Sequence, residues 1–220
     1  MSRSESADAA QAAVDAFARG EPVLIHDAAD REGETDIIYP AGSVTPEAVA
    51  RLRNDAGGLV CVALSDAVAG TLELPFMQSM LDHPTSADHE LAYDERSSFS
   101  LTVNHRNTFT GITDDDRSLT IRELARLAAD PDPEAFAESF RSPGHVHLLR
   151  AAPDLLADRE GHTELGIALA AAADRPPAVV VCEMLDDETG GALPPAEARA
   201  YATEAGLHYV EGRAIIAALE

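Results

Sequence analysis

The stretch PVLIHDAADREGETDIIYP, residues 22–40, decides the fold. Its two ends, PVLIHD (Pro22–Asp27) and TDIIYP (Thr35–Pro40), are short, apolar and β-branched, and each reads as a strand. Between them lies only the charged loop Ala28–Glu34, with no helix to carry the chain across a sheet. Two strands joined without a helix argue against a doubly wound parallel sheet.

Outward from this hairpin, helices and strands interleave irregularly. Ala9–Arg19 reads as a helix ended by Gly20. Thr45-Pro46-Glu47 starts another, a capping hydroxyl followed by Pro at the first helical position. Gly57-Gly58 stops it before the apolar strand Leu59–Leu64. Leu81–Ser98 is an irregular polar loop, placed to close over a substrate. Further strands are expected at Phe99–Asn104, His145–Arg150, Ala178–Leu185 and near His208–Glu211. Helices are expected at Leu119–Ala129, Pro133–Phe140, His162–Ala173 and Pro195–Ala205. The expected architecture is α+β, a mixed β-sheet with helices packed on it, in one layered domain spanning residues 1–220.

Thirty-nine acidic residues face sixteen basic ones, all Arg, for a formal net charge of −23. Such a surface repels nucleic acid and anionic membranes, so neither is expected as a partner. It repels a phosphorylated small molecule too, unless arginines are gathered locally. Self-repulsion of this size is relieved by screening, which points to a salt-rich, halophilic setting. No apolar stretch is long enough to span a bilayer, and the N-terminus lacks a secretory core, so the expected location is cytoplasmic. Cys61 and Cys182 sit in apolar runs and read as buried thiols in a reducing compartment.

Several clusters carry possible chemistry. Asp30-Arg31-Glu32-Gly33-Glu34-Thr35-Asp36 sets four carboxylates and one Arg at a strand entrance. It is either a solvated acidic loop or a site for a hard divalent cation with a guanidinium beside it. Arg159-Glu160-Gly161-His162-Thr163-Glu164 opens a helix, whose free N–H groups attract an anion, and offers an imidazole to a metal; the alternative is a capping turn. His145 stands where a turn becomes a strand. Glu183 sits in the most apolar strand, pointing either to solvent or into a pocket. His83 and His89, with Asp82, Asp88 and Glu90, match no ligand spacing and read as a solvated loop.

Eight segments in one order make a more specific signal. They are DREGETDIIYPAG (Asp30–Gly42), GGLVCVAL (Gly57–Leu64), LPFM (Leu74–Met77), FSLTVNH (Phe99–His105), TFTGITDDDRSLTI (Thr108–Ile121), SPGHVHLLRA (Ser142–Ala151), REGHTE (Arg159–Glu164) and VVVCEMLDDETGGA (Val179–Ala192). Along nearly its whole length the chain resembles the 3,4-dihydroxy-2-butanone 4-phosphate synthases, in their single-domain form without GTP cyclohydrolase II. The resemblance implies a lyase of riboflavin biosynthesis. The implied reaction is the conversion of D-ribulose 5-phosphate to L-3,4-dihydroxy-2-butanone 4-phosphate and formate, with Mg²⁺ (or Mn²⁺), no redox cofactor and a homodimeric enzyme. The resemblance also implies that Glu32 and His162 bind the metal, and that Arg31, Glu32, Asp36, Arg159 and Thr163 contact substrate. His145 and Glu183 correspond to the catalytic pair, and Thr110, Asp116 and Arg117 to a phosphate-side loop. Two departures add negative charge near that phosphate: Glu160, where relatives often have Gly, and Asp114-Asp115, where a small residue is common.

Overall fold

The computed structural model describes residues 3–27, 33–86 and 96–219. In chain order it begins α1 (Arg3–Ala18), β1 (Val23–His26), β2 (Thr35–Pro40), α2 (Pro46–Asn54) and β3 (Cys61–Leu64). It continues with α3 (Asp66–Thr71), α4 (Met77–Met80), β4 (Phe99–His105), α5 (Asp114–Ala129), α6 (Pro133–Ser139) and β5 (Phe140–Arg150). It ends α7 (His162–Ala172), β6 (Ala178–Glu183), α8 (Pro195–Ala205), β7 (His208–Glu211) and α9 (Gly212–Leu219). No described helix is long and apolar enough to cross a membrane.

The strands form one sheet in the order β4-β5-β3-β6-β2-β1-β7. β1 and β2 pair antiparallel, with His26 opposite Thr35, as residues 22–40 predict. The hairpin mouth is closed by Asp27 and Glu34. The Asp27 N–H donates to the Glu34 carbonyl at 3.1 Å, and the Glu34 N–H donates to Asp27 Oδ1 at 3.0 Å. β1 with β7 and β3 with β5 are parallel, whereas β6 runs antiparallel to both β2 and β3. The sheet is therefore mixed.

Both faces are covered, so the central strands read as continuous apolar runs. Leu24, Ile37, Val62, Val180 and Cys182 point to one side, into a core shared with Leu52 of α2, Leu124 of α5 and Ala198 of α8. Ile25, Ile38, Cys61, Val179 and Val181 point to the other, beneath Phe17 of α1, Leu165 of α7 and Ile215 of α9. That second face carries the site.

Some boundaries differ from expectation. α5 starts at Asp114, more than a turn before Leu119, because Thr113 Oγ1 accepts the Asp116 N–H at 3.1 Å and three Asp fill the first turn. Those carboxylates favour a helix N-terminus but carry no apolar periodicity. β5 begins at Phe140, not His145, and α6 stops at Ser139; residues 141–145 are polar or small because they lie at the surface. β6 ends at Glu183, with Leu185 left in an isolated bridge to Ala192. Three helices, α3, α4 and α9, stand where the sequence pattern places none. Of the polar loop Leu81–Ser98, the centre at 87–95 lies outside the described residues.

Candidate active site

In the β2–β6 register Asp36 stands directly opposite Glu183. Alternation puts both side chains on the face of Ile38 and Val181, beneath the start of α7. There His162 reaches down between strands. Its Nε2 lies 3.2 Å from the Ile25 carbonyl and its Nδ1 3.3 Å from Asp36 Oδ1. Asp36 and His162 are buried and Glu183 is half-buried. Of the expected site residues, these three meet.

Cys61, one strand over and opposite Val181, borders the group. Burial pushes its thiol well up, with further upward pressure from the carboxylate of Glu183, the Cys182 thiol and the carboxylate of Asp36. On the other face burial pushes Cys182 up to about 12. Both cysteines are free, buried and protonated, as expected of core thiols.

Arg159 is aimed by Glu164. The fully buried Glu164 carboxylate accepts the Arg159 Nη1–H at 2.7 Å through one oxygen and the Ala152 N–H at 2.9 Å through the other. Beside them a cavity of about 560 Å³ is lined by Arg96, Ser98, Arg150, Phe76, Arg159 and Glu164. Arg96 lies 3.9 Å and Arg150 5.1 Å from the Phe76 ring centroid, and Asp66 holds Arg150 at 2.7 Å. Three guanidinium groups thus converge in a molecule of net charge −23, which is the local gathering an anion requires. Thr163 is buried in the first turn of α7 beside them.

His145 sits on β5 at the same end of the sheet as Glu183. Cys61, the first residue of β3, pairs with His147 on one side and Val181 on the other, and His145 and Glu183 each lie two residues beyond that row. Two strand spacings put their backbones roughly 10 Å apart. His145 is exposed and leans on Asn104, a residue the sequence did not single out. Thr110 is on the adjacent loop. The Asp116 carboxylate accepts the N–H groups of Phe109, Thr110 and Gly111 at 3.2, 3.1 and 2.8 Å, and the Thr110 hydroxyl at 3.3 Å. Burial raises the Asp116 pKa, but the N–H groups of Gly111, Phe109 and Thr110 and the Thr113 hydroxyl together hold it below the ordinary value. Asp116 therefore ties this loop. Arg117 is 7% exposed, with Nη2 3.4 Å from Asp114, and belongs to α5, the helix packed on the Cys182 face of the sheet.

Two of the added charges are accounted for. Arg53 Nε and Nη2 each donate to Asp114 at 3.0 Å and hold its carboxyl below the usual range, while Glu160 faces solvent.

Arg31 and Glu32 lie outside the described residues. Among the described residues no three His, Cys, Asp or Glu side chains form a metal cluster, and His83 bonds Thr85 at 2.8 Å. What the described residues do offer fits a hard cation. His162 must donate Nε2–H to the Ile25 carbonyl, which turns the Nδ1 edge toward the Asp36 carboxylate. An imidazole edge beside a carboxylate suits the binding of a cation.

Carboxylates, an imidazole and clustered arginines on the helix-covered face of a mixed sheet define an enzyme of the α+β class. A family model for 3,4-dihydroxy-2-butanone 4-phosphate synthase matches residues 11–218. The chain belongs to that family. It is 50% identical over 213 residues to the synthase of Archaeoglobus fulgidus, across 91% of this chain and 90% of the relative. It is 46% identical to that of Methanothermobacter thermautotrophicus, across 94% and 93%. A solved synthase in complex with two magnesium ions superposes with a TM-score of 0.81 at 33% identity, covering 94% of both chains. The synthase of Candida albicans superposes with a TM-score of 0.79 at 32% identity, covering 96% of both.

Proposed function

We propose that this chain converts D-ribulose 5-phosphate to L-3,4-dihydroxy-2-butanone 4-phosphate and formate, a lyase step of riboflavin biosynthesis. The observation that carries the reading is Asp36 facing Glu183, with His162 at 3.3 Å from Asp36 and an arginine-lined cavity nearby. Residues 1–220 act as one synthase unit.

Arg159 and the N–H groups at the start of α7 bind the phosphate, with Thr163 beside them. Arg31 and Asp36 orient the sugar. The atoms of the substrate are those of the two products, so no oxidant is needed. A carbon-bound proton next to the carbonyl must leave, and Glu183 or His145 takes it while the other returns it. Carbon 4 then departs as formate after a skeletal rearrangement, for which the intermediate is held in one orientation away from water. Glu32 and His162 hold the divalent ion, Mg²⁺ or Mn²⁺, which supplies Lewis-acid polarisation of neighbouring oxygens. The magnesium-bound relative supports Mg²⁺. Thr110 faces the phosphate side, and Asp116 holds its loop.

Phe109 is 93% exposed and Ile112 50%, both on the loop beside His145, which supports a homodimer closing over that end. The acidic surface suits a salt-rich cytoplasm.

The test is ribulose 5-phosphate labelled at carbon 4, incubated with Mg²⁺ in molar KCl and followed by NMR. Labelled formate is expected. Isomerised sugar phosphate without formate would overturn the reading in favour of an isomerase. Glu183→Gln should keep the fold and lose formate release. A calorimetric Mg²⁺ signal should vanish in Glu32→Ala and His162→Ala.

A further inference from the structure

The ladder between β4 and β5 breaks beside the exposed histidine. Val103 pairs with Val146, yet Asn104 pairs with Arg141. Residues 142–145 therefore leave the ladder, and the N–H groups of Ser142, Gly144 and His145 need other partners. Side chains of β4 supply two of them. Thr102 Oγ1 accepts the Gly144 N–H at 3.1 Å, and Asn104 Oδ1 accepts the His145 N–H at 2.8 Å. Asn104 goes further than Thr102, because its Nδ2 also lies 3.1 Å and its Oδ1 3.3 Å from His145 Nδ1.

We propose that Asn104 is a positioning residue that holds the Nδ1 edge of His145 and so turns Nε2 toward the reacting carbon. This rests on the reading of His145 as a proton-transfer residue. The carboxamide suits the task because it is neutral and two-sided. Its oxygen accepts from a protonated Nδ1, and its amide donates to an unprotonated one. The ring keeps its grip while Nε2 gains or loses a proton. Asn104 itself has nowhere to go. It is 4% exposed, and a Cβ at Gly111 (φ +89°) would lie 2.0 Å from its Nδ2. Asp116, by tying residues 109–111, keeps that glycine in place.

The bland alternative is that Asn104 merely satisfies a bulge N–H, as Thr102 does. Four variants of the Mg²⁺-loaded enzyme separate the two. Asn104→Ala should lower kcat about 100-fold with KM for ribulose 5-phosphate nearly unchanged, the scale of a misplaced catalytic group. Asn104→Asp keeps an acceptor for both N–H groups and should recover most of that loss. Its carboxylate favours the protonated ring, so the acid limb of its kcat profile should move to higher pH. Thr102→Ala removes a comparable bulge partner without touching the ring and should leave kcat unchanged. Long-range ¹H–¹⁵N NMR of the imidazoles, with His145 assigned from its absence in His145→Ala, should show its Nδ1 signal shifted in Asn104→Ala and not in Thr102→Ala.

The proposal is overturned if Asn104→Ala keeps its kcat while His145→Ala abolishes formate release. It is overturned equally if Asn104→Ala and Thr102→Ala lose activity together in proportion to their melting temperatures. Should Asn104→Ala fail to fold, an unmoved pH profile in Asn104→Asp overturns it. Should His145→Ala retain formate release, the catalytic assignment of His145 falls, while the NMR comparison still reports whether the ring contact exists.

Discussion

Removing the Glu164 carboxylate should damage both stability and phosphate binding. Glu164 is fully buried, and each oxygen has its own donor, the Ala152 N–H at 2.9 Å and Arg159 Nη1 at 2.7 Å. In Glu164→Ala the buried Ala152 amide loses its acceptor, which costs about 1–3 kcal/mol. The Arg159 guanidinium, 19% exposed at the side chain, loses the Glu164 carboxylate as well. Breaking a buried pair costs about 3–5 kcal/mol, and because part of Arg159 reaches water we expect about 3–5 kcal/mol for both effects together. For a chain of this size that is a fall of roughly 6–20 °C in melting temperature. Glu164→Gln keeps an oxygen for Ala152 and should lose about half as much. Thermal unfolding by circular dichroism in molar KCl measures both variants. The KM for ribulose 5-phosphate should rise in Glu164→Ala, since Arg159 is no longer aimed. A loss below about 1 kcal/mol would refute the reasoning, because the pair would then be no better than a surface ion pair.

Asp116 has a lowered carboxyl pKa, so its contribution is present above the ordinary value of 3.8 and is lost as pH falls through the lower folded-state value. Asp116→Asn should therefore be less stable than the parent by about 1 kcal/mol at neutral pH. The gap should close below pH 3.8, as melting temperature against pH will show. Gly144→Ala places a Cβ 2.0 Å from the Val103 carbonyl carbon, where backbone must move, and should cost about 1–3 kcal/mol or more by denaturant unfolding. With a net charge of −23, the melting temperature should climb as KCl rises from low to molar concentration, since screening shortens from about 10 Å to about 3 Å. A flat or falling curve would remove the case for a salt-rich setting.

What the sequence determined by itself was local. The hairpin of residues 22–40 was legible because two apolar runs with no helix between them leave one economical pairing, and that pairing is antiparallel. The start of α2 was legible in Thr45, whose Oγ1 accepts the Ala48 N–H at 3.3 Å, and in Pro46. The start of α5 was not, since its first turn is polar throughout. Glu183 shows the limit most clearly. Alternation fixed which face it points to relative to Val181, but left pocket and solvent equally open. Only packing decided, by laying Asp36 beside it and bringing His162 from α7 over that same face. Arg159 and Arg117 look alike in sequence, yet one lines a cavity and the other is sealed on the opposite side of the sheet. Asn104 and His145, far apart in sequence, meet only because β5 leaves its ladder there. Side-chain periodicity is set by backbone geometry within a few residues, whereas which faces meet is set by strand order and by helices crossing the sheet, and no short window of sequence contains that information.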